Sequence, residues 1–236
     1  MIYPIVIYGS DVLRKPCERI TPDYPEVKKL VEDMFLTLGE AEGVGLAAPQ
    51  IGKNIRLFIV DCTPWGEDDP ECADYKRAFI NPEIYALSEE KKTYNEGCLS
   101  FPGIHADVPR SLAIRMRYMD EDFVEHDEEF HGLKAWVIQH EYDHIEGIVF
   151  TDRISPLRRN LLKGKLMNLA KGKYRCAYKT KYPVCRGHAS AGSACRLCSR
   201  LRPAGKLFRP CHGKRDVRPG CCLAAAQPRG AGGFAA

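Results

Sequence analysis

The segment His140-Glu141-Tyr142-Asp143-His144 contains the residues best suited to chemistry in this chain of 236 residues. Two imidazoles four residues apart on a helix project from one face about a turn apart, so both can bind one metal ion. The intervening Glu141 then lies beside the ion, where a carboxylate can act as a general base. The segment predicts a metal-dependent hydrolase. A solvated, charged helix face is the alternative that these five residues alone leave open.

A catalytic metal site commonly has three protein ligands and one open position. A downstream glutamate does not supply the third ligand, because Glu146 is the last glutamate in the chain. A longer pattern with a third histidine fits at Gly147 but has Phe150 where that histidine belongs. The third ligand is therefore expected upstream, where Cys98 lies between two strand-like segments. A lone cysteine is more often a small buried apolar residue, so the assignment of Cys98 depends on its neighbours.

Those neighbours belong to three segments that occur in a fixed order along the chain. Together they closely resemble the sequence motifs of the peptide deformylase family. The resemblance extends over about residues 4–181 and leaves the rest of the chain outside it. The three segments are GVGLAAPQ from Gly43 to Gln50, EGCLS from Glu96 to Ser100, and QHEYDH from Gln139 to His144.

The resemblance implies a hydrolase that removes the formyl group from the N-terminal formylmethionine of newly synthesised polypeptides and releases formate. It implies that Cys98, His140 and His144 bind the metal ion. Glu141 is expected to accept a proton from the attacking water and return it to the departing amine. Thiolate and imidazole ligands suit several divalent ions without selecting among them. The resemblance implies Fe²⁺, one per chain, with Zn²⁺, Ni²⁺ or Co²⁺ as substitutes.

The same resemblance assigns groups to the oxyanion that develops on the formyl carbonyl. The side-chain amide of Gln50 and the backbone N–H of Leu99 are expected to stabilise it together with the metal. Gly45 is expected to line the seat of the formyl group, because a residue without a side chain lets a substrate backbone approach closely. An ordinary tight loop is the alternative that the glycines alone leave open.

Selectivity for methionine requires an apolar pocket near these groups. Val44, Leu133 and Val137 are candidates, since the last two lie on the same face of the predicted helix as the histidines. Trp136 is a further candidate, although a large aromatic residue at such a position is more often part of the core. Arg110 is interpreted either as a residue that holds the peptide further along or as an exposed structural arginine.

Hydrophobic periodicity predicts the elements that must position these residues. Apolar residues at helical spacing predict helices over residues 25–42, 132–146 and 155–171, and the second of these carries both histidines. Short apolar or alternating runs predict strands over residues 55–61, 78–84 and 113–119. The order indicates an α+β fold, in which mixed or antiparallel strands pack around a central metal-binding helix and a further helix lies C-terminal to it.

Charge is distributed unevenly along the chain. Residues 1–152 contain 15 Lys and Arg against 30 Asp and Glu, whereas residues 153–236 contain 20 against one. Nine Lys and Arg and no acid lie between Arg158 and Lys181. This basic helix predicts contact with ribosomal RNA, beside the N-formylmethionyl chains that are the expected substrates. A solvated helix face is the alternative.

The composition also predicts where the chain acts. No stretch approaches the ~18 apolar residues that a bilayer-spanning helix needs, and the first thirty residues lack the pattern of a secretory signal. We therefore predict a cytoplasmic location and no membrane partner. The eleven cysteines are interpreted as thiols or metal ligands rather than as disulfides.

The chain changes character after about residue 182, where Arg, Gly, Ala, Pro and Cys replace any apolar periodicity. We predict a catalytic domain over residues 1–182 and a basic, disordered tail over residues 183–236. The tail is interpreted as an unselected extension from a shifted or read-through frame. A zinc knuckle that includes Cys195 and Cys198 is the alternative.

Two other functions stay open from the sequence. A metalloprotease would share the paired histidines but lacks the downstream third ligands. A zinc-dependent RNA-binding protein would use the tail as its binding region and the first 182 residues as a scaffold. One metal ion per chain that is lost on Cys98→Ala would favour the enzyme.

Overall fold

The computed structural model of the chain describes residues 1–67 and 69–181, which contain three α-helices and nine β-strands. The helices are α1 (Val27–Glu40), α2 (Gly132–Ile145) and α3 (Pro156–Ala170). The strands are β1 (Ile5–Val6), β2 (Gly45–Ala47), β3 (Leu57–Asp61), β4 (Lys76–Leu87), β5 (Lys91–Gly97), β6 (His105–Ser111), β7 (Ala113–Met119), β8 (Glu125–His131) and β9 (Thr180–Lys181).

An antiparallel sheet in the strand order β2-β3-β4-β7-β8 separates two apolar cores. Successive side chains of a strand point to opposite faces. On β3, Leu57 and Ile59 therefore enter the core that α1 covers, whereas Phe58 and Val60 enter the core formed with α2. Burial on both faces explains why β3 is a continuous apolar run rather than an alternating one.

Helix α2 lies at the centre of this arrangement and contacts β2, β3, β6, β7 and β8. Its Gln139 docks the helix by donating to the Ser111 carbonyl at 2.9 Å and accepting from the Ser111 N–H at 3.2 Å. The helix ends before Gly147, which has a positive φ of 73°. A side chain at Gly147 would lie 2.8 Å from the backbone of Arg14, so only glycine fits this turn.

Two smaller strand pairs complete the fold around α2. Strands β5 and β6 form an antiparallel hairpin, and residues 98–104 join them. Strands β1 and β9 pair in parallel and bring the beginning and the end of the described chain together. Helix α3 begins with Pro156, and the Ser155 hydroxyl caps it by accepting from the Arg158 N–H at 3.3 Å.

The predicted α+β class and its C-terminal helix are confirmed, and each predicted helix ends within two residues of the observed one. Strand β8 was not predicted, because its sequence EHDEEFH is mostly charged and buries only Phe130. Pairing with β7, not apolar patterning, makes it a strand. No helix among the described residues has the length and apolar character that spanning a membrane requires. The predicted tail lies outside the described residues.

Candidate metal centre

Three candidate metal ligands converge from two elements of the fold. Cys98 directly follows β5, and His140 and His144 are one turn apart on α2. Their ligand atoms all lie within 4.8 Å of one another, and Cys98 Sγ is 3.2 Å from His144 Nε2. All three side chains are buried. The structure therefore brings together the three residues that the sequence suggested as a ligand set.

The orientation of His140 is fixed by a buried carboxylate. Its Nδ1 lies 2.8 Å from Glu96 Oε2, which leaves Nε2 of the same ring available to a metal ion. Glu96 also accepts from Trp136 Nε1 at 2.9 Å and from Arg110 Nε at 2.7 Å. Burial opposes the charge of Glu96, but its bonds to Arg110 and His140 outweigh burial and lower its pKa to about 2. Glu96 therefore stays ionised and holds the imidazole in one orientation.

The charge of Glu96 continues into a chain of buried ion pairs. Arg110 donates to Asp143 at 2.6 Å, and Arg153 donates to the same carboxylate from nearer the surface. Arg110 is only 4% exposed, and both of its partners hold its guanidinium inside the protein. Both earlier interpretations of Arg110 are therefore wrong. It is neither exposed nor free to hold a peptide, because Glu96 and Asp143 engage it.

The other flank of the site contains polar atoms without partners. Glu141 Oε2 and His144 Nδ1 are buried and have no hydrogen-bond partner among the described residues. Burial raises the pKa of Glu141 to about 7, and a nearby cation would act in the opposite direction. Burial also lowers the pKa of His144 well below its usual value, which favours the neutral imidazole that metal binding requires.

Gln50 extends from a short 3-10 helix (Ala48–Ile51) toward the ligands. Its Oε1 accepts from the Ala47 N–H at 2.8 Å, which fixes the side-chain amide and directs Nε2 inward. That Nε2 lies 3.5 Å from Cys98 Sγ and 3.3 Å from Ser100 Oγ. Leu99 lies between Cys98 and Ser100, and no acceptor among the described residues takes its backbone N–H. Gln50 and Leu99 both line the cavity beside the ligands, and their roles as oxyanion donors stay a prediction.

A cavity opens onto this region and is partly apolar. Val44, Val137 and Trp136 line it together with Gly45, Gln50, Cys98, His140 and Glu141. Leu133 is partly buried against the α2 core, as Val44 is, and its place in the methionine pocket stays a prediction. Trp136 lines the cavity and is stacked between Tyr94 and Trp65, with ring centroids 4.3 and 5.4 Å away.

Gly45 has a neighbour that the sequence did not suggest. A β-carbon at this position would lie 2.4 Å from Oε1 of Glu141 and 2.8 Å from its Cγ and Cδ. Contacts that short do not occur, so the carboxylate of Glu141 occupies space that exists only because Gly45 has no side chain. Gly45 therefore admits the general-base candidate as well as lining the cavity.

Several supporting residues were not given roles from the sequence. Glu96 belongs to a recognised segment, but its contact with His140 was not inferred, and Asp143 and Arg153 were not singled out. One signal was present: Tyr94 and Glu96 alternate with exposed residues on β5, so both point inward. A carboxylate at an inward strand position two residues before a metal-ligand candidate is itself a sign of a buried partner.

Comparison with known proteins identifies the family. A family model described as "Polypeptide deformylase" matches residues 2–160. The chain belongs to this family. A peptide deformylase of Cytophaga hutchinsonii is 48% identical over 184 residues, which cover 78% of this chain and 99% of the relative. One of Flavobacterium johnsoniae is 48% identical over 189 residues, which cover 77% and 96%.

Solved peptide deformylases share the fold. The structure from Thermus thermophilus has a TM-score of 0.65 at 36% identity and covers 73% of this chain and 100% of its own. The structure from Thermotoga maritima has a TM-score of 0.60 at 38% identity, with coverage of 66% and 99%. The chain is therefore a deformylase, a hydrolase that removes the formyl group from the N-terminal methionine of new polypeptides. Nothing found supports the metalloprotease or the RNA-binding alternative.

Proposed function

We propose that the deformylase reaction takes place at the cavity in which Cys98, His140 and His144 hold one metal ion. The observation that carries this proposal is the convergence of three buried ligand atoms within 4.8 Å, beside the unpaired carboxylate oxygen of Glu141. The donor set fits a transition-metal ion, because a thiol and two imidazoles are softer ligands than the oxygen atoms that Ca²⁺ and Mg²⁺ prefer. Deformylases are metalloenzymes, and Fe²⁺ is the ion we propose here, with Zn²⁺, Ni²⁺ or Co²⁺ as substitutes.

Cys98, His140 and His144 would hold a divalent ion, which would supply a Lewis acid for the formyl carbonyl and make water a stronger nucleophile near neutral pH. Glu141 accepts the proton of the water that attacks the formyl carbon. The C–N bond then breaks, formate leaves, and Glu141 delivers the same proton to the amine nitrogen of methionine. Its unpaired Oε2 is the atom available for both transfers.

Gln50 and Leu99 stabilise the negative charge that develops on the formyl oxygen. The bond from the Ala47 N–H to Gln50 Oε1 holds the side-chain amide so that its Nε2 donates toward the cavity. The Leu99 N–H is the second donor. Because both donors are fixed before substrate arrives, they need no reorganisation during the reaction, which is what makes such groups effective.

Val44 and Val137 contact the methionine side chain of the substrate in this proposal, with Trp136 as the flat wall of the pocket. The stacked rings of Tyr94 and Trp65 and the bond to Glu96 restrain Trp136. A rigid apolar wall favours a long unbranched side chain over a charged one, because a charge there would lose its water without gaining a partner.

Anaerobic purification tests the metal and the reaction together. The iron content per chain is measured, and formate release is followed with a formyl-Met-Ala peptide and with a peptide that has only internal bonds. We expect one iron per chain, formate release in proportion to iron, and no internal cleavage. Exposure to air should reduce the activity, because the thiolate of Cys98 is open to oxidation. Activity that follows zinc instead would overturn the proposed ion, and no formate release with any of the four ions would overturn the function.

We also propose that the basic face of α3 contacts ribosomal RNA in the cytoplasm, where formylated chains emerge. Lys163, Lys165 and Lys171 are exposed on or just after this helix. Truncation after Pro156 is a poor test, because it would remove Leu166 and Leu169 from the core. The variant Lys163→Glu/Lys165→Glu should instead reduce co-sedimentation with ribosomes at low salt, with deformylation unchanged. Unchanged co-sedimentation would contradict the proposal.

A further inference from the structure

Residues from both ends of the described chain hold the loop that carries Cys98 and Leu99. The hydroxyl of Tyr178, which lies just before β9, donates to the Leu99 carbonyl at 2.7 Å. The N–H of Tyr8, which lies just after β1, donates to the Ser100 carbonyl at 3.0 Å. Because β1 and β9 pair with each other, the loop is tied to one small sheet by two hydrogen bonds.

Together with one bond inside the loop, these bonds pair the carbonyl groups around Leu99. The Cys98 carbonyl accepts from the Phe101 N–H at 2.8 Å, so the carbonyls of three successive residues each have a donor. The Cys98 carbonyl and the Leu99 N–H belong to one rigid peptide plane, and the Leu99 carbonyl belongs to the next. With both planes fixed, the direction of the Leu99 N–H is fixed as well. A preset N–H without an internal acceptor is what an oxyanion requires.

We propose that Tyr178 is a positioning residue for deformylation, which fixes the Leu99–Ser100 peptide and, through the backbone of Leu99, helps to hold the Leu99 N–H toward the developing oxyanion. This inference rests on the proposed role of Leu99. Tyr178 is only 9% exposed, and its ring packs in the core that α1 covers, so the hydroxyl has a defined position. The residue lies beyond residues 2–160, which the family model matches. The support of the active site therefore extends into the C-terminal segment.

The variant Tyr178→Phe tests this role, because it keeps the buried ring and removes only the hydroxyl. Loss of an oxyanion donor typically costs 10²–10³ in kcat, so a donor that is only misdirected should cost on the order of tenfold. KM for a formyl-Met-Ala peptide should change by less than about twofold, because the bond acts mainly in the transition state. The visible absorption spectrum of the Co²⁺-loaded protein should not change, since the proposed metal ligands are untouched.

Tyr174→Phe is the matched control. The Tyr174 hydroxyl donates to Thr180 Oγ1 at 2.8 Å in the same segment, whereas the Tyr178 hydroxyl donates to the Leu99 carbonyl. It should retain the parent kcat, and both variants should have thermal unfolding midpoints close to that of the parent. The proposal is overturned if Tyr178→Phe keeps the parent kcat, if Tyr174→Phe loses as much, if the Co²⁺ spectrum changes, or if the loss only follows the unfolded fraction.

The parent protein and Gln50→Ala separate this inference from the proposed function. If the parent releases no formate, the proposed function fails before Tyr178 is considered. If the parent is active and Gln50→Ala is slow while Tyr178→Phe is not, the oxyanion site stands and only the role of Tyr178 is wrong.

Discussion

The two flanks of the metal site differ in how completely their polar atoms are paired. On the His140 flank, the carboxylate of Glu96 accepts from His140, Trp136 and Arg110, and the charge continues to Asp143. On the Glu141 flank, the described residues supply no hydrogen-bond partner for Glu141 Oε2 or for His144 Nδ1. The carboxylate of the His140 flank is therefore paired inside the protein, whereas the Glu141 flank has two polar atoms that can still form hydrogen bonds.

The difference separates the groups that hold the site from the group that reacts. The His140 flank, with its paired Glu96, Trp136 and Arg110, is therefore called the holding flank, and the Glu141 flank is called the reacting flank. An unpaired buried polar atom costs roughly 1–3 kcal/mol, so Glu141 Oε2 gains by bonding to water or to a bound substrate. Such atoms also occur at Asn54, Tyr75 and Thr151, so the position of Glu141 beside the three ligands is what distinguishes it. A paired carboxylate such as Glu96 is poorly placed to exchange protons, because its oxygens already have donors. Glu141 has an oxygen to spare and is therefore suited to proton transfer. Substitutions on the two flanks should accordingly fail in different ways.

Cys98→Ala should have the largest effect, because it removes a ligand that both flanks depend on. Two histidines alone bind a divalent ion weakly, so we expect the metal content to fall from one ion per chain to near zero and formate release to disappear. Elemental analysis and a formate assay measure both quantities. Cys62→Ala is the matched control, since Cys62 is also buried but lies outside the ligand set. A Cys98→Ala protein with a full complement of metal would contradict the assignment.

Glu141→Gln should break the reacting flank without affecting the holding flank. The amide cannot accept and return a proton, and general acid–base catalysis typically contributes 10²–10⁴ in rate, so kcat should fall by about that factor. Metal content should stay at one ion per chain. Glu146→Gln, at the end of the same helix and paired with Arg56 nearer the surface, should keep the parent kcat. Turnover by Glu141→Gln at the parent rate would show that another group moves the proton.

The same contrast explains what the sequence could and could not predict. His140 and His144 are neighbours through helical spacing alone, so a local pattern sufficed. The 3.2 Å approach of Cys98 to His144 depends on how the β5–β6 hairpin packs on α2, and only the three ordered segments indicated it. The burial of Arg110 could not be predicted locally, because Glu96 and Asp143 lie 14 and 33 residues away along the chain.

Arg110→Met should break the holding flank and reduce stability. The substitution leaves the carboxylates of Glu96 and Asp143 without their shared cation, and removal of one partner from a buried ion pair typically costs 3–5 kcal/mol. Urea unfolding of the metal-loaded protein measures this loss. Arg117→Met is the control, because Arg117 forms an exposed pair with Asp127 that solvent screens and that should contribute little to stability. Equal losses of unfolding free energy in the two variants would mean that the buried ion pairs of Arg110 stabilise the protein no more than an exposed pair does.

Gly45→Ala should have the smallest effect of the four. It tests whether catalysis depends on the observed position of the Glu141 carboxylate. The new β-carbon would fall 2.4 Å from Glu141 Oε1, so the carboxylate must rotate away from its present place. Because Glu141 remains present but misdirected, we expect kcat to fall by about tenfold to a hundredfold, less than for its removal. Metal content should stay at one ion per chain, since Cys98, His140 and His144 are unchanged.

Gly39→Ala is the control for that change, because a β-carbon at Gly39 meets nothing within 4 Å and lies in helix α1. It should keep the parent kcat and stabilise the helix by up to ~1 kcal/mol. If Gly45→Ala also kept the parent kcat, proton transfer would not depend on the observed position of the Glu141 carboxylate. The unpaired oxygen would then be incidental, and the distinction between a holding flank and a reacting flank would rest on Glu96 alone.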